Sequence, residues 1–224
     1  NKKIANSLKE KNQLIEESLL QKELFLKETH HRVKNNLQIV SSLMSIQGRS
    51  LSDQRSKDLI RESQNRIKSM SLVHESLYQA KDLSQIEIES FIKRIAEGVN
   101  SSLKAKNQDI ELKILADNFK LNAEQAVPIG IIINELASNA YKHAFKNKVK
   151  GRLLIEFIKS DDGLTLKVDD DGEGLPNDFK ADFSSGSIGM ALVQALAQDQ
   201  LDGDLLINSN NCKFSINFKP SMAA

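Results

Sequence analysis

The sequence predicts an α+β chain: an N-terminal helical hairpin that pairs with a second copy as a dimeric four-helix bundle, then an α/β sandwich domain. Three observations carry this prediction. Residues 1–80 hold one glycine, Gly48, and no proline, and are rich in Leu, Lys, Glu, Gln and Ser, a composition of helix formers. Two apolar seams in that region repeat at alternating spacings of three and four residues. From about Ser84 helical and alternating segments are segregated and joined by short hairpin-like links.

The first seam runs through Leu26, His30, Val33, Leu37, Val40, Met44, Gln47 and Leu51, and the second through Ile60, Ser63, Ile67, Met70, His74 and Leu77. Between them Gly48–Asp53 reads as a turn, with Ser52 or Asp53 as the cap of the second helix. A lone hairpin buries little, so Leu37, Val40, Met44, Ile67 and Met70 predict a homodimer. Upstream, Ile4, Leu8, Ile15 and Leu19 continue a weaker repeat, as in an input coiled coil over residues 1–25, with the hairpin over 26–82 and the sandwich over 84–224. In the sandwich, helices are predicted at Ile88–Leu103, Ala123–Phe145 and Gly189–Leu201. Strands are predicted at Ile110–Ile114, Leu153–Ile158, Leu164–Val168, Leu205–Ile207 and Phe214–Phe218, giving one sheet under three helices.

Composition excludes several function classes. Lys and Arg number 31 against 30 Asp and Glu, a net charge of +1, which is not the basic excess of a dedicated nucleic-acid binder. The single Cys212 forms no internal disulfide and has no zinc-ligand cluster around it, consistent with a cytoplasmic setting. The longest apolar stretch, Ala126–Ile133, contains Pro128 and Gly130 and is too short to span a bilayer. No signal peptide is visible. The chain starts at Asn1 inside what reads as a helix, so it reads as a piece of something longer or a processed chain.

Three constellations carry chemistry. On the helix of residues 123–145, Ile129, Ile132, Ile133, Leu136 and Ala140 form an apolar stripe. Glu135, Asn139, Lys142 and His143 follow at i, i+4, i+7 and i+8 on another face. An acid, an amide and a lysine so aligned suit a metal-bound polyphosphate, with oxygen ligands for Mg²⁺ and a cation for phosphate; a solvated helix face is the alternative. Asp170-Asp171-Gly172-Glu173-Gly174 follows a strand directly, placing an acceptor beside glycines that admit close approach. Gly186-Ser187-Ile188-Gly189 opens a helix, where free N–H groups suit a phosphate; an N-cap serine in a plain loop is the alternative.

In this order and spacing the motifs resemble those of sensor histidine kinases. Asn134 to His143 is similar to the N box, and Asp170 to Gly174 and Gly186 to Met190 to the two glycine boxes. Glu28-Thr-His-His31-Arg-Val-Lys-Asn35-Asn-Leu-Gln38 resembles the phosphoacceptor box of a branch sibling to the group named for His, Trp and Glu. The resemblance covers residues 25 to 220. It implies a dimerisation bundle followed by the ATP-binding fold shared with gyrase, Hsp90 and MutL, with a response regulator receiver domain as partner and a sensor domain upstream. By the same resemblance Asp170 binds the adenine amino group, Asn139 binds Mg²⁺ and Lys142 a phosphate, with His143 beside it. Gly172 and Gly174 shape the base pocket, and Gly186, Ser187 and Gly189 the phosphate lid. Glu135 takes a supporting or metal-orienting role. The chain departs from the pattern in lacking Trp, in carrying Asn211-Cys212 where Gly-Thr is usual, and in a short Leu175–Ser185 segment.

Two adjacent histidines compete for the phosphoryl group. His30 lies on the seam with Leu26 and Val33. His31 lies one step off it, with Lys34, Asn35 and Gln38 at i+3, i+4 and i+7, and is the predicted phosphoacceptor. Its neutral imidazole is well populated at physiological pH. The general base stays unassigned, with Glu28 at i−3 as a ring-orienting candidate. Asn35 either positions water for dephosphorylation of the regulator or solvates the helix. Two rivals are weaker: an ATPase or serine kinase of the same superfamily needs no histidine box, and a non-catalytic scaffold needs none of Asn139, Lys142 and Asp170.

Overall fold

The computed structural model describes residues 2–78, 85–105, 107–175, 188–208 and 213–220. It divides into two compact units, Asn1–Lys68 and Ser69–Ala224.

The first unit is a hairpin of α1 (Lys2–Ser50) and the first part of α2 (Gln54–Tyr78). Glycine alone does not stop α1: Gly48 lies inside it, facing Ile60, whose Cγ2 stands 3.0 Å from where a Cβ would be. The helix ends two residues later, and the cap choice resolves to Asp53. Its Oδ1 accepts the Ser56 N–H at 2.8 Å, and that bond holds its carboxyl below the usual range. Across the hairpin Gln64 Nε2 donates to the Ser41 carbonyl at 3.2 Å.

The seams predicted for a second chain are divided by this hairpin. Leu37, Met44, Ile67 and Met70 are half-buried. Apolar side chains that stay exposed are Ile39, Val40, Leu43, Ile46 and Leu59, so the exposed apolar stripe is rotated by about one residue from the counted seam. Further along α1, Leu14, Ile15, Leu19, Leu20, Leu24 and Phe25 are exposed as well.

The second unit contains a five-stranded sheet in the order β2-β4-β5-β7-β6: β2 (Asp109–Ala116), β4 (Lys150–Ser160), β5 (Gly163–Asp170), β7 (Lys213–Phe218) and β6 (Asp204–Asn208). β2 and β4 pair in parallel and the other neighbours antiparallel. Alternation is clean on β5, where Leu164, Leu166, Val168 and Asp170 are buried and their neighbours are not, as expected of a sheet covered on one face. On that face lie α3 (Ile88–Leu103), α4 (Ala123–Asn139) and α5 (Ile188–Ala195). Phe91, Ile92, Ile129, Ile132, Ile133, Leu153, Ile155 and Phe157 are wholly buried between the layers, each contributing roughly 1.5–3 kcal/mol of burial.

Two short strands were not expected: β1 (Ile86–Glu87) pairs antiparallel with β3 (Lys120–Leu121) and leads into α3. The second unit also starts earlier than the predicted boundary near residue 83. Val73, near the end of α2, is buried and converges with Phe91 and Ile95 on Gly130.

α4 starts where Asn122 caps it, its Oδ1 accepting the Gln125 N–H at 3.0 Å. Asn122→Ala is expected to lower stability by about 1 kcal/mol, read as a drop in the urea midpoint with an unchanged slope.

Candidate active site

α4 is buried well beyond one stripe. Ile129, Ile132, Ile133 and Leu136 are buried as predicted, and Asn134, Glu135 and Ser138 are buried with them. The solvated-face alternative therefore fails at its first member, since Glu135 is only 5% exposed. Exposure grows along the row: Asn139 and Lys142 are half-buried and His143 is exposed.

The predicted helix to Phe145 is continuous but changes form. Residues Ala140–Ala144 make a π-helical turn, closed by the Phe145 N–H donating to the Ala140 carbonyl at 2.9 Å. Single π-turns recur at functional sites. Here the turn is pinned by Tyr141, whose hydroxyl donates to Asn100 Oδ1 of α3 at 2.6 Å and whose burial pushes its pKa up to about 12. Its ring meets Phe145 edge-on at 5.8 Å.

Asp170 is the last residue of β5, the middle strand, and is buried. Its Oδ1 accepts the Gly172 N–H at 3.0 Å. Past it the chain turns onto the end of the π-turn. The Glu173 N–H donates to the Ala144 carbonyl at 3.2 Å, and a Cβ on Gly172 would lie 2.3 Å from the Ala144 Cβ. The close approach that requires glycine at 172 is thus to protein. Gly174 has φ +78°, the left-handed backbone that glycine adopts without penalty.

The 145–148 loop clasps the same turn from the other side. Lys148 Nζ donates to the Asp171 carbonyl, and Asn147 Nδ2 donates to Glu173 Oε1 at 3.1 Å. Asp171 Oδ1 accepts the Arg152 N–H at 2.8 Å. Gln108 Nε2 donates to the Phe145 and Lys148 carbonyls at 2.7 and 3.2 Å.

The third motif meets the first where Asn139 Nδ2 donates to the Met190 sulfur at 3.7 Å. Gly189 and Met190 are buried in the first turn of α5, while Gly186 and Ser187 lie outside the described residues. The structure thus joins Asp170 and Gly172 to the end of the Asn139 helix, and Asn139 to the helix after Gly189. Glu135 and Asn139, one turn apart on α4, offer the hard oxygen donors that suit magnesium. A pocket of about 770 Å³ opens at the other end of β5, lined by Glu124, Asp162, Thr165, Asp202 and Asp204 among others, and contains none of the motif residues.

In the hairpin unit His31 belongs to α1, and the side chains of Leu26, His30 and His31 lie outside the described residues. Glu28, the ring-orienting candidate, has another partner: Arg32 Nε donates to its Oε1 at 2.9 Å. Both are well exposed, and such i,i+4 pairs are worth a few tenths of a kcal/mol. Asn35 is exposed.

Ala144 and Gln108 were not singled out in the sequence, and Met190 entered only as the end of the second glycine box. An alanine, a methionine and a loop glutamine carry no signature there, and their roles arise from residues 28 to 51 positions away.

Comparisons with known proteins agree with this arrangement. Residues 28–103 match a family model described as "Histidine kinase". Residues 124–222 match one described as "Histidine kinase-, DNA gyrase B-, and HSP90-like ATPase". The sensor histidine kinase PdtaS of Mycobacterium tuberculosis is 34% identical over 189 residues, covering 84% of this chain and 37% of that protein. Blue-light-activated histidine kinase 2 of Erythrobacter litoralis is 29% identical over 183 residues, covering 77% of this chain and 50% of that one. This chain thus spans half or less of the length of these relatives. A solved Erythrobacter litoralis blue-light-activated histidine kinase shares the fold at 21% identity, with a TM-score of 0.66 over 87% of this chain and 59% of that one. With the two family models matching residues 28–103 and 124–222 in that order, this chain belongs to the sensor histidine kinases.

Proposed function

We propose that this chain moves the γ-phosphoryl group of ATP onto His31 and then to an aspartate of a response regulator receiver domain. It does so as a cytoplasmic homodimer under an upstream sensor domain. The observation that supports this best is the docking of the Asp170 loop on the end of the Asn139 helix. It gathers a base acceptor and a polyphosphate-facing row into one site, in a chain that also carries the histidine box.

In this reading the Asp170 carboxylate accepts from the adenine amino group, in a buried setting where such a bond is strong. Gly174 bends the loop beside the base. Lys142 and His143 answer phosphate charge, and the glycine box of Gly186, Ser187 and Gly189 binds phosphate. A magnesium ion bound with the nucleotide would be held by Asn139 and Glu135 and supplies charge neutralisation at the transferring group. An imidazole nitrogen of His31 forms the new N–P bond as the bond from the γ-phosphorus to the β–γ bridging oxygen breaks, and ADP departs with that oxygen. The gain comes from alignment and charge placement. Glu28, engaged with Arg32, is a poor choice for orienting the ring.

For dephosphorylation of the regulator, Asn35, exposed one turn beyond His31, would hold water against the phospho-aspartate. The exposed stripe of Ile39, Leu43, Ile46 and Leu59 supports a second copy as its cover. No helix among the described residues is long and apolar enough to cross a membrane.

Incubation with γ-labelled ATP tests the reading directly. Label that is lost in acid and stable in base marks a phosphohistidine. Acid-stable label would place the phosphoryl on a hydroxyl, and ADP release without labelled protein would make the chain a plain ATPase.

A further inference from the structure

We infer that Ala144 is a positioning residue for base recognition: its small side chain and its carbonyl form the seat that fixes the Asp170 loop and so sets the preference for a 6-amino purine. This deepens the proposed function and rests on Asp170 as the adenine acceptor.

Three observations converge on this residue. Ala144 ends the π-turn and is 5% exposed. As one of the last four residues of a helix its carbonyl has no partner within the helix. The Glu173 N–H supplies one at 3.2 Å. Gly172 lies against the same residue so closely that a Cβ there would stand 2.3 Å from the Ala144 Cβ and 2.7 Å from its carbonyl oxygen. Gly172 in turn donates its N–H to Asp170 Oδ1 at 3.0 Å. A chain of contacts therefore runs from Ala144 through Gly172 to the carboxylate, with Glu173 pinning the far side.

The seat itself is rigid. Tyr141 anchors the π-turn to Asn100, and Gln108 holds the carbonyls of Phe145 and Lys148 just beyond it. A larger side chain at 144 cannot sink into this surface, so the loop that follows Asp170 must lift, and the Gly172 N–H that orients the Asp170 carboxylate lifts with it. Hydrogen bonds weaken steeply with misalignment, and the first interaction lost is the one between Asp170 and the base. The triphosphate contacts proposed for Lys142 and the start of α5 do not run through the contact between Ala144 and Gly172. The residue thus acts on which base is bound rather than on whether a triphosphate is bound.

The test compares ATP with inosine triphosphate, which has a carbonyl where adenine has the amino group, by calorimetry on the whole chain with magnesium present. The wild-type protein should prefer ATP by at least about tenfold, the value of one charge-assisted hydrogen bond. Ala144→Val should lower ATP affinity about tenfold and leave inosine triphosphate within about twofold, collapsing the preference. Gly172→Ala attacks the same contact from the other side and should give the same collapse; it decides the matter if the valine variant does not fold. Ala144→Gly keeps the carbonyl, adds no bulk and should retain the preference. If the wild type itself does not distinguish the two nucleotides, the assignment of Asp170 fails. If the wild type distinguishes them and the variants keep that ratio, or lose both nucleotides equally, Ala144 has no role in base selection.

Discussion

His31→Ala is expected to abolish autophosphorylation while nucleotide affinity stays within about twofold of wild type. Helical spacing puts position 31 in the row of Glu28 and Asn35, both exposed, and position 30 in the row of Val33 and Leu37, both half-buried. A nucleophile that must meet a nucleotide and later a receiver domain belongs to the first row. The second row belongs to the bundle, so His30→Ala is expected to keep part of the labelling. Acid-labile label and calorimetric ATP binding, measured on both variants, check this. Label that survives in His31→Ala and vanishes in His30→Ala would exchange the two assignments.

Asp170→Asn is expected to weaken ATP binding by one to two orders of magnitude. The substitution is nearly isosteric, and the asparagine carbonyl still accepts the Gly172 N–H, so the loop keeps its seat. What changes is the acceptor offered to the base: the amide presents a donor to the adenine amino group, itself a donor, and a charge-assisted bond of roughly 1.5–3 kcal/mol is lost. At about 1.4 kcal/mol per decade that gives the expected range. Unchanged affinity by calorimetry would remove Asp170 from the base pocket.

The elements that carry Asp170 and Asn139 were legible in the sequence because they rest on local order. Asp170 ends a strand whose alternation, from Leu164 to Val168, reads off the sequence. The core of the Asn139 helix reads off Ile129, Ile132 and Ile133. Elements without such periodicity stayed hidden. β1 and β3 are two residues each, too short to alternate, and they form only because they pair with one another. The π-turn at Ala140–Ala144 uses the same residues an α-helix would, and its anchor, Asn100, lies on another helix. Gly172 was expected to leave room for a base; its neighbour at closest approach is Ala144, 28 residues earlier. The hairpin seam was counted correctly as apolar, yet counting does not say which of two adjacent stripes the sister helix covers. Leu37 and Met44 turned inward and Ile39, Leu43 and Ile46 were left outside.

The mixed pairing of the sheet sets an order of assembly. β4 and β5 are joined by a turn of two residues, Asp161 and Asp162, and a hairpin of that kind closes within microseconds. β2 and β4 pair in parallel from Asp109 with Lys150 to Ala116 with Phe157, and the chain between them includes all of α4. Closing so long a connection carries an entropic cost before any ladder bond forms, so β2 joins after β4 and β5 are in place. Gln108, immediately before β2, holds the carbonyls of Phe145 and Lys148 beyond the π-turn. That clasp is therefore expected to close late in folding, with the docking of β2.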